Sequence, residues 1–173
     1  GYCEQDSRQV TNGIQFDILG RGIIPPIIYT TVEEMEIYED RLRVMQKVNG
    51  LAVSPGGLAF MGTLVNGVNL FGISTMCGKV NGISAGGLLS YNLWTNGISI
   101  SLINGVHNKM NGLQIGGTCG AEQMNGLQIG VICGADDMHG LQIGDVNINE
   151  KHRGVQISLF NKAKDLKGVQ IGL

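Results

Sequence analysis

Asn111-Gly112-Leu113-Gln114-Ile115-Gly116 returns as Asn125-Gly126-Leu127-Gln128-Ile129-Gly130, and again as His139-Gly140-Leu141-Gln142-Ile143-Gly144. Arg153-Gly154-Val155-Gln156-Ile157-Ser158 and Lys167-Gly168-Val169-Gln170-Ile171-Gly172 continue the series, so the anchoring glycines stand 14 residues apart at each step. Toward the N-terminus Gly67, Gly82, Gly97 and Gly112 are 15 apart, Gly50 precedes Gly67 by 17, and Asn12-Gly13-Ile14-Gln15-Phe16 is an isolated earlier copy. A sustained period of this kind marks a repeat architecture, in which each unit buries its side chains only by stacking on its neighbours.

Within a unit the residue after Gly is Leu, Ile or Val, the next is Gln (Ser or Asn in earlier copies), and the third is nearly always Ile. Apolar–polar–apolar alternation is the period of a strand, and it predicts Leu127 and Ile129 facing inward with Gln128 facing out. A second apolar pair follows, as in Val131-Ile132 or Leu159-Phe160, then a polar stretch such as Gly134-Ala135-Asp136-Asp137. One further apolar residue (Met110, Met124, Met138, Leu166) precedes the next Gly by two. Asn-Gly favours positive φ, so each unit reads as strand, turn, strand, turn. The fold expected is all-β: a solenoid of 14–15-residue coils, with an antiparallel meander or barrel as the alternative. Met124 and Leu127 have opposite parity in a straight strand, yet both are expected to be buried; a corner at Asn125-Gly126 resolves this, which favours the solenoid.

Composition agrees with a packed chain of about one domain. Hydrophobic residues make up 43 % of 173, charged residues only 15 %, and Gly contributes 28. So apolar and weakly charged a chain collapses, and its glycines serve a recurring geometric purpose. The net charge of −2, with no basic run, argues against nucleic-acid binding, where Lys and Arg neutralise phosphates. The longest apolar patch, Ile23 to Tyr29, is interrupted by Pro25 and Pro26 and is too short for a membrane helix, so no membrane span is expected. No signal peptide is visible. The opening Gly1-Tyr2-Cys3 reads as a trimmed start, and Cys3 there invites comparison with a lipidated Cys.

Residues 31 to 48 depart from the repeat. Met35, Tyr38, Leu42 and Met45 fall at three-four spacing, Thr31 and Glu34 form a capping-box pattern, and Asn49-Gly50 supplies a stop. Acidic residues crowd the start and basic residues the end, which suits the helix dipole. Residues 1–48 are therefore expected to hold the isolated copy and an amphipathic helix capping the array, with residues 49–173 forming that array, all within one domain. A partner-binding role for the helix is the sharper alternative. At the other end the chain stops in mid-repeat, and an uncapped coil predicts self-association or a partner there.

The residues with chemical potential do not converge. Cys119 and Cys133 are one repeat apart and should stack as neighbours, as a row of buried thiols or, less favoured, a disulfide. No Cys/His spacing typical of zinc occurs, and no metal or cofactor is implied. His139 and His152 sit at or near the pre-Gly turn and read as surface residues. Ser101 and Ser158 lack a His or acidic partner at a recurring position. The glycines recur along the whole chain rather than opening one helix, so no phosphate loop is indicated. The periodic polar feature is the series Gln114, Gln128, Gln142, Gln156 and Gln170, expected either as a structural amide ladder or as an outward binding face for a glycan or protein.

Asn-Gly-Leu-Gln-Ile-Gly and Lys-Gly-Val-Gln-Ile-Gly-Leu, with Leu159-Phe160-Asn161 and Ala163-Lys164-Asp165-Leu166 between units, resemble bacterial surface-repeat proteins carrying NGLQIG-like units. The likeness covers residues 96 to 173 well, 49 to 95 loosely and the helix segment not at all. It implies export to the surface or periplasm of a Gram-negative cell and a role without catalysis, and it brings no catalytic residues. His139, Arg153 and Lys167 replace the motif's Asn, which puts an uninterrupted Asn ladder in doubt. The function expected is a non-catalytic binding or scaffold module. A small outer-membrane barrel, or an enzyme with its site between the helix and the first coils, are the alternatives.

Overall fold

The protein is described from a computed structural model over residues 9–16 and 46–172. Eight strands follow one another: β1 (Gln9–Phe16), β2 (Gln46–Ser54), β3 (Leu58–Phe71), β4 (Ser74–Gly86), β5 (Leu89–Ile100), β6 (Ile103–Ile143), β7 (Val146–Ile157) and β8 (Phe160–Ile171). They form one sheet in sequence order, and every pairing between them is parallel. Parallel partners one repeat apart are the signature of coils stacked along an axis, so the chain is a β-solenoid. The antiparallel meander and barrel are not formed, since each would alternate strand direction. The 41 residues of β6 come close to three 14-residue periods of extended backbone running through successive corners.

One column of glycines holds the corners in register. Gly13 pairs with Gly50, Gly50 with Gly67, Gly67 with Gly82, Gly82 with Gly97 and Gly97 with Gly112; Gly140 pairs with Gly154 and Gly154 with Gly168. Each of these glycines, and Gly126 between them, has φ between +121° and +154°. At Gly126 a Cβ would also lie 2.1 Å from the carbonyl oxygen of Gly112, one coil earlier. Glycine is required here both by the dihedral and by the approach of the neighbouring backbone.

The side chains turn in a way the alternation pattern did not suggest. Leu127 and Ile129 are half-exposed, whereas Gln128 is fully buried, as are Gln114, Gln142 and Gln156. The expectation of inward Leu and Ile with outward Gln is therefore reversed. The chain passes the Asn125-Gly126 corner without losing its pleat, so the inward positions count by two from Met124 through Gly126 to Gln128. Each closed 14-residue coil sends four side chains inward: Gln128, Cys133, Ala135 and Met138 in one, Gln142, Asn147, Asn149 and His152 in the next. The premise that Leu127 is buried fails, although the corner and the solenoid it argued for are present.

A second inward column runs Val48, Val65, Val80, Thr95, Met110, Met124, Met138, His152 and Leu166, and all but Leu166 are buried. Valines give way to methionines along the axis, with one apolar cluster around Val48, Val65, Cys77 and Val80 and another around Val106, Met110, Met124 and Met138. His152 occupies this column, two residues before Gly154, so its expected placement as a surface turn residue is corrected. His139 does lie in the partly exposed turn, directly before Gly140.

β1 pairs with β2 from Gln9↔Gln46 to Phe16↔Val53, so the isolated copy is a coil of the same stack. The boundary expected at residue 48 falls inside β2. Of the helix expected over residues 31–48, residues 31–45 lie outside the described ones and Gln46–Val48 are strand. In β8, every side chain from Lys164 to Ile171 is exposed. Among the described residues no helix is long and apolar enough to cross a membrane.

Candidate functional site

Three features offer chemistry: the polar interior, a groove along the last coils, and the outer faces of the sheet.

The interior amides form a brace. Gln128 Nε2 donates to Gln114 Oε1 (2.9 Å), Gln142 Nε2 to Gln128 Oε1 (2.6 Å) and Gln156 Nε2 to Gln142 Oε1 (3.1 Å). The same nitrogens reach across the coil: Gln114 Nε2 donates to the Gly120 carbonyl (3.2 Å) and Gln128 Nε2 to that of Gly134 (3.3 Å). Gln is long enough to span both directions, and a buried amide that is fully bonded avoids the cost of desolvation. In earlier coils the same position holds Asn69, Ser84 and Ser99; Asn69 Nδ2 donates to Ser84 Oγ (3.4 Å) and Ser99 Oγ to Asn104 Oδ1 (2.9 Å). Gln114, Gln128, Gln142 and Gln156 thus make a structural ladder and cannot be an outward binding face; only Gln170, in β8, is exposed.

A second ladder stands at the corner. Asn49 Nδ2 donates to Asn12 Oδ1 (2.7 Å), and the chain of amides continues through Asn66, Asn81, Asn96 and Asn111 to Asn125, whose Nδ2 donates to Asn111 Oδ1 (3.0 Å). It ends there. The next rung is His139, with Asp137 Oδ1 3.1 Å from its Nε2, followed by Arg153 at 3.5 Å.

The thiols lie in the interior. Cys77, Cys119 and Cys133 are free and buried. Cys119 Sγ donates to the Ile129 carbonyl (3.4 Å) and Cys133 Sγ to that of Ile143 (3.7 Å). Asn147 and Asn161 take over the same role further along, donating to Ile157 (3.1 Å) and Ile171 (2.7 Å). Burial pushes the Cys77 thiol up to about 11, opposed by the hydroxyl of Thr75. Cys119 is pushed up by its hydrogen bond with Cys133 and by burial. Neutral thiols of this kind are poor nucleophiles.

His152 is enclosed, with Asn149 Nδ2 3.1 Å from its Nδ1 and no partner at Nε2. Burial, and to a lesser degree the neighbouring His139 charge, holds it below the ordinary imidazole range. Ser101 Oγ donates to the Ile103 carbonyl (2.9 Å) and Ser158 Oγ to Asn161 Oδ1 (2.6 Å), so neither serine of the sequence analysis is paired with a base.

The groove is an open depression of about 580 Å³ lined by Cys119, Ile132, Cys133, Asp136, Glu150 and Lys164 among others. Glu150 and Lys164 pair across it; the ammonium lowers the carboxyl of Glu150 and the carboxylate raises Lys164. His107 Nδ1 lies 3.3 Å from Glu122 Oε1 on the same side of the coils. Among the described residues no cluster of His, Cys, Asp and Glu could hold a metal ion.

The outer faces differ from each other. Glu122, Asp136, Glu150 and Lys164 form one outward column, and Gln123, Asp137, Lys151 and Asp165 the next. The opposite wall, from each column glycine to the corner after it, shows aliphatic side chains: Ile14 is 73 % exposed, Val169 54 % and Ile171 52 %. Sequence reasoning missed this wall because it placed Leu and Ile inside. The available signal was parity with the Met column.

No protein-family model, curated protein or solved structure matches this chain.

Proposed function

We propose that the protein is a non-catalytic scaffold or binding module, of the surface-repeat kind its motifs resemble, exported to the surface or periplasm of a Gram-negative cell. The observation that carries this reading is where the polar groups go. The periodic amides of Gln114 to Gln156 are turned inward and bond from coil to coil, the thiols and the imidazole are buried, and the outer surface consists of long columns, one wall charged and the other aliphatic. Columns suit extended contact with a protein or glycan; catalysis needs a few unlike groups converging on one point. Among the described residues the partly exposed His139–Asp137 and His107–Glu122 pairs are the nearest approach to an acid–base pair.

A panel of ester, peptide, glycoside and phosphoester substrates tests the reading. No turnover above background is expected. Turnover abolished by Asp137→Asn or Glu122→Gln in a folded protein would overturn it. Of the enzyme alternative with a site between the helix and first coils, the helix residues 31–45 lie outside those described.

A further inference from the structure

In every coil the first and third residues after the column glycine point outward, and from Ile14 to Ile171 these two columns contain only Ile, Leu, Val, one Ala and one Phe. The residue between them is buried in every coil from Ala52 to Gln156, so across those coils this wall carries no charged or polar side chain. The charges lie on the other wall. We propose that the aliphatic wall is the contact surface between two copies of this chain, packed sheet face to sheet face; this deepens the scaffold reading and rests on it.

The dimensions fit. Ten coils, one for each column glycine from Gly13 to Gly168, stack about 4.8 Å apart and span roughly 45 Å. The four residue steps from the column glycine to the next corner add about 13 Å of width, giving roughly 600 Å² per copy. That lies at the upper end of the apolar patch a monomer ordinarily leaves exposed. Two copies would bury about 1,200 Å², the lower limit for a specific stable interface. The wall is ridged at the constant spacing of hydrogen-bonded neighbouring strands, so the surface that meshes with it along its whole length must repeat at the same spacing. A second copy has that spacing by construction, and stacked sheets interdigitate such rows about 10 Å apart. A lipid surface is the less suitable occupant: Trp and Tyr, which anchor proteins at the membrane interface, are absent from these columns, and the border column is Asn from Asn12 to Asn125, with cationic side chains only at its end, Arg153 and Lys167.

The full chain is measured by light scattering and sedimentation equilibrium over a wide concentration range. The expected result is a mass rising from 18.4 kDa toward twice that value, with Leu127→Glu plus Leu141→Glu weakening self-association at least about 100-fold. The circular dichroism spectrum should be unchanged, because both side chains are already half-exposed. Glu122→Gln plus Glu150→Gln, on the charged wall, should leave the dimer intact. Should the glutamates unfold their coils, Leu127→Ser plus Leu141→Ser supplies the same comparison at lower cost. A wild-type protein that stays monomeric throughout overturns the proposal, as does a dimer indifferent to both leucine pairs, which would place the contact at the β8 edge. A monomer that floats with phosphatidylcholine vesicles only while the leucines are present overturns it in favour of lipid. None of these outcomes depends on the substrate panel, so the dimer and the non-catalytic reading can fail separately.

Discussion

Replacing Gly126 by Ala tests the glycine column directly. At φ +137° an L-residue is strained by about 1–3 kcal/mol. The added methyl would in addition stand 2.1 Å from the Gly112 carbonyl oxygen and 3.0 Å from its carbon. That oxygen is backbone, held in a parallel ladder, so relief requires moving one coil against the next and weakening the hydrogen bonds between them. Together these effects should cost about 3–5 kcal/mol, within the range that marks a backbone clash. Gly120→Ala is the internal control: it lies in the preceding coil, its φ is not positive, and a Cβ there meets nothing within 4 Å. It should be neutral or stabilising by up to about 1 kcal/mol through the unfolded chain. Urea unfolding followed by circular dichroism reads both, and hydrogen exchange at residues 112 to 140 shows whether the loss is confined to adjoining coils, as expected for nearest-neighbour stacking. Equal stability of the two variants, within about 0.5 kcal/mol, would refute the account of why the column is glycine.

Gln128→Leu should destabilise by about 2–4 kcal/mol in the same assay, because it leaves Gln142 Nε2 and Gln114 Oε1 without their rung in a closed interior, while an outward Gln would cost nothing. For His152 the folded-state pKa is lowered, so the unfolded chain binds the proton more readily. Its contribution is full above about pH 6.5 and is lost as pH falls below that value. His152→Met, which continues the column of Met138, should remove this acid sensitivity below about pH 6.5, read as the pH dependence of the unfolding midpoint. Iodoacetamide at neutral pH should leave Cys77 unmodified in the native protein and alkylate it in urea, as mass spectrometry of the digest will show. Rapid native modification of Cys77 would contradict its burial.

Much of the architecture was legible because the backbone itself demands it. A glycine every 14 or 15 residues is needed where each coil turns at positive φ against the carbonyl of the last, and no other residue meets both conditions. The end of the Asn ladder was legible too, since His139, Arg153 and Lys167 cannot continue an amide-to-amide chain. The orientation of Leu127, Gln128 and Ile129 was not. Alternation states that neighbours point to opposite sides and is silent on which side is inside. The usual preference for burying aliphatic residues gave the wrong answer, because from Gln128 to Gln156 each side-chain amide donates to the Gln one coil earlier once stacked. The Gln ladder, the enclosure of His152 and the aliphatic outer wall all follow from that one choice of pleat.

The sequence by itself determined the period and the corners, because these depend on local dihedrals and on identical units repeating; the parallel pairing that excludes a meander is seen only in the structure. Only the tertiary structure decided which set of side chains faces the axis. That choice depends on whether an amide can find its partner one coil away, and such a partner exists only after the coils are in register.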